Sequence, residues 1–209
     1  MNRSSRPGKR SAYHHGDLKS ALRSAAATLM AERGVDTVSL REIAQMAGVS
    51  HTAAYRHYAD KEAVMADLAE AGFRELSATM GQVIAATRGG VTRKLQAAGG
   101  AYVRFGVEQP HLLQLMFGPA ISDWQCYPAL VEASDALYAT LTDIIKSGQE
   151  KGKFRAGDPR DLALAAWSLV HGLALLICGR RVTGSDDALF VEHASQRVTA
   201  LLIEGLTVK

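Results

Sequence analysis

The stretch from Val38 to Tyr58, which reads VSLREIAQMAGVSHTAAYRHY, combines several hydrogen-bonding side chains at short spacing. Tyr55, His57 and the nearby Lys61 carry donors that suit phosphate oxygens. Arg41 has a guanidinium group that can bind a guanine edge bidentately or contact a phosphate. These residue types indicate recognition of an anionic partner by hydrogen bonds, and no convergent set of acid, base and nucleophile accompanies them.

Two short helices joined by a tight turn would place these side chains on one surface. Ser39 and Glu42 form an S-x-x-E pattern, which predicts a capping box at the start of the first helix. Gly48 stands where the chain must turn sharply, because a residue without a Cβ adopts a left-handed conformation most easily. Ser50 can cap the second helix, which is predicted to run to about Tyr58.

The two sides of this second helix are expected to differ. Its exposed N-terminal end carries Ser50, His51, Thr52 and Ala53, and Val49 and Ala54 are expected to face inward and anchor it. Ala44 of the first helix is small where the two helices must cross closely. A helix-turn-helix presents this end of its second helix to base edges in the major groove.

Helical periodicity dominates the rest of the chain. Apolar residues from Leu18 to Met30 recur on one face of a helix that begins near Gly16 and stops at Gly34. A fourth helix is predicted from Asp60, and Gly and Pro residues divide the remainder into helical segments at 91–108, 111–117, 123–151, 159–181 and 186–206. The sequence therefore predicts an all-α protein of about nine helices. It comprises a basic arm at 1–12, a three-helix domain with a helix-turn-helix at 13–60, and a larger helical domain at 61–209.

Positive charge is concentrated near the N-terminus. Residues 1–61 contain ten Lys and Arg against five Asp and Glu, whereas the whole chain has a net charge of only +3. This asymmetry predicts an anionic partner for the front of the chain. Residues 1–12 are rich in Ser, Arg, Lys, Gly and Pro, which predicts a disordered segment, either a solvated tail or an arm that contacts DNA.

The sequence favours a cytoplasmic protein without a membrane partner. No apolar segment precedes a cleavage site near the N-terminus, as a secretory signal would require. The longest apolar segment, 162–178, contains His171 and is predicted to be a buried helix. Cys126 and Cys178 form no CxxC pattern and are expected to be thiols. His171, Cys178 and His193 have no metal-ligand spacing, so we expect no metal, no cofactor and no enzymatic activity.

The residues around the turn resemble the DNA-binding domain of the TetR family of repressors. The resemblance covers roughly residues 13–75 and is carried by LREIA at 40–44, AGVS at 47–50, YRHY at 55–58 and KE at 61–62. It implies that Arg41, His51, Thr52 and Ala53 lie near the bases of double-stranded DNA, and that Ser39, Ser50, Tyr55, His57 and Lys61 lie near phosphates. Ala54 departs from the family pattern, in which many members have a larger aliphatic residue.

A second, shorter resemblance lies in the C-terminal part. The segment from Trp167 to Gly172, with His171, is similar to a Trp…His-Gly signature in the regulatory domain of one branch of the family. It implies a helical domain that binds a small-molecule effector and pairs with a second copy through its last two helices. An aromatic and methionine set is expected either to line the effector pocket or to form ordinary core: Tyr102, Phe105, Met116, Phe117, Trp124, Tyr127, Trp167 and His171.

Together these patterns predict a homodimeric transcription regulator, a repressor released from a palindromic operator by a ligand. Two alternatives remain at this point. A helical enzyme with an accessory DNA-binding domain would need catalytic groups that the sequence does not show. A ligand-free architectural DNA-binding protein would leave most of the hydrophobic C-terminal part without a role.

Overall fold

The computed structural model describes residues 15–208, with side chains from Leu18 onward, so the predicted basic arm at 1–12 lies outside the described residues. The chain divides into two compact units, the first ending at Val64 and the second beginning at Met65. The first unit contains α1 (His15–Arg33), a 3-10 turn (Val35–Thr37), α2 (Leu40–Met46), α3 (His51–Tyr55) and the first residues of α4 (Lys61–Ala86).

The second unit contains the remainder of α4 and five further helices. These are α5 (Val91–Glu108), α6 (Pro110–Phe117), α7 (Pro128–Glu150), α8 (Pro159–Cys178) and α9 (Ala188–Leu206), with a 3-10 turn at Trp124–Cys126. Over residues 15–208 the only β pairing is an isolated bridge between Phe154 and Thr207. The prediction of an all-α protein of about nine helices is therefore confirmed.

Several predicted helix boundaries differ from the structure, and the segment predicted at 159–181 ends as a helix at Cys178. The segment predicted as one helix at 123–151 is divided, because Tyr127 has φ −125° and ψ 75° and α7 begins only at Pro128. A proline disfavours the helical conformation in the residue before it and lacks an N–H of its own, so a helix can begin at Pro128 but cannot pass through it. The helix predicted to reach Tyr58 ends earlier, at Tyr55.

The first unit is organised by small buried residues between helices. The predicted apolar face of α1 is confirmed, since Leu22 and Ala26 are fully buried. Ala44 of α2 and Ala54 of α3 are also fully buried, and α2 packs against both α1 and α3. Because both side chains are single methyl groups, the backbones of α2 and α3 can cross closely.

The second unit is built around α5, which packs against α7, α8 and α9. Gly99 of α5 allows this approach, because a Cβ there would lie 2.6 Å from Cγ2 of Thr199 on α9. Length and composition alone would let α8 cross a membrane. In the structure α8 packs against α5, α7 and α9 and buries one side, while Leu164, Leu169, Leu175 and Leu176 stay exposed.

Candidate nucleic-acid interface and ligand cavity

The turn between α2 and α3 is fixed by two backbone hydrogen bonds and one left-handed glycine. The amide of Val49 donates to the carbonyl of Ala44 at 3.0 Å, and the amide of Gly48 donates to the carbonyl of Gln45 at 3.1 Å. Gly48 has φ +69°, as the sequence predicts. This pair of bonds is the Schellman arrangement, which ends α2 and sets the direction in which α3 begins.

The capping box predicted at Ser39 is present. The Ser39 hydroxyl accepts from the Glu42 amide at 3.3 Å, and the Glu42 carboxylate accepts from the Ser39 amide at 3.0 Å. Arg33 of α1 binds the same carboxylate at 3.0 Å. Hydrogen bonds from Ser39, followed by the one from Arg33, lower the pKa of Glu42. The carboxylate thus ties the start of α2 to the end of α1, and the Ser39 hydroxyl is already engaged within the protein.

The N-terminal end of α3 is presented to solvent. His51 and Thr52 are exposed, Tyr55 is 58% exposed, and Ala53 is half-buried. The Ser50 hydroxyl accepts from the Ala53 amide at 3.2 Å, so it caps the helix as predicted. Because Ala54 anchors the opposite side of α3, the exposed residues form a polar and aromatic surface on a fixed support.

The remaining predicted DNA-binding residues lie at different depths. Arg41 is exposed on α2, and His57 is half-buried after the end of α3. The ammonium group of Lys61 donates to the carbonyl of Val35 at 3.1 Å, so it also holds the 3-10 turn. Contact of all nine predicted residues with DNA stays a prediction.

A cavity of about 230 Å³, partly open to solvent, lies in the second unit, and all six helices α4–α9 contribute to its wall. Its lining consists of Phe73, Met80, Leu95, Ala98, Gly99, Tyr102, Phe117, Ser134, Asp135, Leu137, Tyr138, Leu141, Leu164, Ala166, Trp167, Val170, Thr199 and Leu202. Aromatic and aliphatic groups dominate, as is usual for small-molecule sites, although the volume lies below the usual range of about 300–1,000 Å³.

The structure separates the aromatic set predicted from sequence into lining and supporting residues. Tyr102, Phe117 and Trp167 line the cavity. The others are not part of its wall. Phe105 and Met116 are buried, and Trp124 packs edge-on against Phe73. Tyr127 occupies the position just before α7, and His171 hydrogen-bonds to Tyr102.

Sequence reasoning missed several lining residues. Phe73 and Met80 lie on one face of α4 at a separation of seven, and Tyr138 and Asp135 lie on α7. The helical spacing of Phe73 and Met80 marks a buried face, but such spacing cannot distinguish a cavity wall from packed core.

Tyr102, His171 and Trp167 form a hydrogen-bonded triplet beside the cavity. The Tyr102 hydroxyl lies 2.8 Å from Nδ1 of His171, and Nε1 of Trp167 donates to the same hydroxyl at 3.2 Å. Burial raises the pKa of Tyr102 and lowers the pKa of His171, so both groups are held in their neutral forms. The ring of Phe117 packs against His171 at 4.8 Å and Trp167 at 5.4 Å between centroids. The triplet therefore gives this part of the wall a fixed, uncharged shape.

The cysteines and histidines do not gather into a metal site within the described part of the chain. No group of three potential His, Cys, Asp or Glu ligands occurs there. Both cysteines are free thiols, and Cys178 donates to the carbonyl of Gly106 at 3.2 Å. Burial raises the pKa of Cys178, which disfavours the reactive thiolate.

Comparison with known families covers both units. Residues 22–68 match the family described as bacterial regulatory proteins, tetR family. Residues 95–201 match the family described as tetracyclin repressor-like, C-terminal domain. The first match covers most of the first unit and ends four residues into the second, and the second match lies within the second unit and spans about half of the chain.

Individual relatives agree with these matches. An uncharacterized HTH-type transcriptional regulator of Bacillus subtilis, YvkB, is 23% identical over 185 residues, which is 88% of this chain and 94% of the relative. A solved protein of unknown function from Rhodococcus sp. RHA1 is 32% identical, with a TM-score of 0.82 over 95% of this chain and 100% of that one. A tetR-family regulatory protein from Rhodococcus RHA1 superimposes with a TM-score of 0.72 at 20% identity, over 92% of this chain and 98% of that one. This chain belongs to the TetR family of DNA-binding transcriptional regulators.

Proposed function

We propose that this protein is a homodimeric repressor that leaves a palindromic operator when a small molecule occupies the cavity. One observation carries the proposal: a single chain combines an exposed helix-turn-helix end with an apolar cavity lined by six helices. An architectural DNA-binding protein needs the first feature only. The partners are double-stranded DNA, a small-molecule effector and a second copy of the chain, and a cytoplasmic location follows from this role.

The base-reading group comprises Arg41, His51, Thr52 and Ala53, and the phosphate-binding group comprises Ser39, Ser50, Tyr55, His57 and Lys61. Exposure supports the first group, because His51 and Thr52 stand at the free end of α3 and Arg41 is exposed on α2. Thr52 and Ala53 offer methyl groups, which suit contact with thymine methyls. In this arrangement the domain at 13–60 binds DNA, and the domain at 61–209 binds the effector and the second copy of the chain.

Dimerisation is supported by an apolar face on the last two helices. Leu169 of α8 and Leu201 of α9 are 46% and 65% exposed. They line a shallow groove together with Ala165, Val198 and Gly205. Two copies of this face would bury the leucines in a four-helix bundle, and a two-fold symmetric dimer accounts for recognition of a palindrome.

Helix α4 supplies a route from the cavity to the DNA-binding unit. It begins at Lys61, whose ammonium group binds the 3-10 turn of the first unit, and it contributes Phe73 and Met80 to the cavity wall. A ligand that displaces Phe73 or Met80 would shift α4. A coupling free energy of about 1–3 kcal/mol would then lower operator affinity roughly 5- to 150-fold.

The test is selection of bound sequences from a random DNA pool, with the purified protein at near-physiological salt. We expect a palindrome whose half-sites are separated by one helical turn, about 34–36 Å, or a multiple of it. Recovery of unrelated sequences, with affinity that falls steeply with salt, would instead support an architectural protein. The recovered operator then becomes the probe for compounds that release the protein.

A further inference from the structure

The charge on the cavity wall is negative. Asp135 of α7 is the one charged side chain in the lining, and no Lys, Arg or His belongs to the wall over the described residues. Asp135 is exposed, and it forms no ion pair with any residue that the structure describes. A carboxylate, phosphate or phosphate ester entering the cavity would therefore find a repelling charge and no basic partner.

The aromatic rings of the wall also favour a positively charged ligand. The five aromatic lining residues are Phe73, Tyr102, Phe117, Tyr138 and Trp167. The rings of Tyr138 and Trp167 lie 6.3 Å apart at an interplanar angle of 67°. Aromatic faces carry negative quadrupole potential and attract cations, and tryptophan does so most strongly.

The hydroxyls of the two tyrosines in the wall are already paired inside the protein. The Tyr138 hydroxyl donates to the carbonyl of Arg160 at 2.7 Å. The Tyr102 hydroxyl is engaged by Trp167 and His171. These two hydroxyls are therefore already engaged, and the carboxylate of Asp135 is the group in the wall that attracts a positive charge most strongly.

Building on the regulatory function proposed above, we propose that the effector is a compact organic cation, an amine or quaternary ammonium with an apolar body. The apolar body lies among Phe73, Phe117 and Trp167, and the positive group faces Asp135. The cavity volume of about 230 Å³ restricts the ligand to a small molecule of about one ring with substituents.

The test is isothermal titration of the full chain with three probes of similar size. These are phenyltrimethylammonium, its neutral isostere tert-butylbenzene, and the anion benzoate. We expect the cation to bind about tenfold more tightly than the neutral isostere. Asp135→Asn should weaken binding of the cation about threefold and leave the neutral isostere unchanged, because Asp135 is exposed and its charge is partly screened.

Asp143→Asn is the matched control, since Asp143 is an exposed aspartate on α7 outside this cavity. It should leave the affinity for the cation unchanged. Tighter or equal binding of tert-butylbenzene, preference for benzoate, absence of binding by all three probes, or equal effects of the two substitutions would each overturn the proposed ligand class.

The operator selection separates this result from the regulatory function. A protein that binds a palindrome but prefers the neutral probe remains a regulator with a different effector. A protein that binds no specific sequence loses the proposed function, whatever its probe preference.

Discussion

The phenolic oxygen of Tyr102 lies 2.8 Å from Nδ1 of His171, so one hydrogen bond joins α5 to α8 across 69 positions of sequence. Trp167, one turn before His171 on α8, donates to the same oxygen. Tyr102 thus has two partners on one neighbouring helix. Its ring also lines the cavity, which makes this hydroxyl a link between helix packing and cavity shape.

Removing that hydroxyl should destabilise the second unit. Tyr102→Phe keeps the ring but leaves Nδ1 of His171 and the indole N–H of Trp167 without their partner. We expect the free energy of unfolding to fall by about 1–3 kcal/mol, as for other buried groups that lose a hydrogen bond. Urea denaturation measures this change, and Tyr138→Phe is the control, because its hydroxyl bonds a carbonyl at the start of α8 outside the triplet.

The stability of the protein should decrease on mild acidification because of His171. Burial lowers the pKa of this imidazole in the folded state, so the unfolded chain binds its proton first as the pH falls. The stability that neutral His171 gives the folded protein is fully present above the imidazole pKa of the unfolded chain, about 6.5. It is lost as the pH falls from there through the lower imidazole pKa of the folded protein. Denaturation midpoints between about pH 7.5 and pH 5 should fall more steeply in the natural protein than in His171→Gln. Equal slopes would contradict this assignment.

The turn between α2 and α3 should depend on the left-handed conformation of Gly48. A Cβ at this position would meet no atom within 4 Å, so the effect of Gly48→Ala is conformational rather than steric. We expect a loss of about 1–2 kcal/mol in unfolding free energy and weaker DNA binding. Gly48→Asn should lose less, because asparagine tolerates this region better. Gly81→Ala, within α4 and equally open, should stabilise the protein by about 1 kcal/mol.

Charge on the exposed face of α8 and α9 should prevent dimerisation without unfolding the monomer. Leu169→Glu and Leu201→Glu each place a carboxylate where the proposed partner copy would pack. Light scattering after size-exclusion chromatography should show a monomer, and operator affinity should fall at least about tenfold because two half-sites are no longer bound together. Ala139→Glu, on an exposed position of α7, should stay dimeric. A dimer in all three variants would place the interface elsewhere.

The two groups of DNA-binding residues should respond differently to substitution. His51→Ala and Arg41→Ala should each relax base preference at defined operator positions, at about 1–3 kcal/mol per lost base contact. Tyr55→Phe should weaken binding to all sequences alike, because a phosphate contact carries no base information. Repeating the random-pool selection with each variant distinguishes these outcomes, and unchanged preference with His51→Ala would remove it from the base-reading group.

The sequence by itself determined the helix-turn-helix. The bonds between Ser39 and Glu42, the left-handed Gly48 and the cap at Ser50 all connect residues within a few positions of one another. Each follows from the chemistry of a short segment, so each could be predicted before the fold was known. The division at Tyr127 and Pro128 follows a local rule as well, although the helical periodicity of 123–151 concealed it.

The cavity was decided by the tertiary structure. Tyr102 and Phe105 lie on the same helix and have similar aromatic rings, yet only Tyr102 lines the cavity, while Phe105 is buried outside its wall. Met116 is fully buried next to Gly72, where a Cβ would lie 2.8 Å from its sulfur. Periodicity shows which face of a helix turns inward, but the space left between six helices depends on their rotations and on close approaches such as that at Gly99. Those are set by side chains far apart in sequence, and no local pattern contains them.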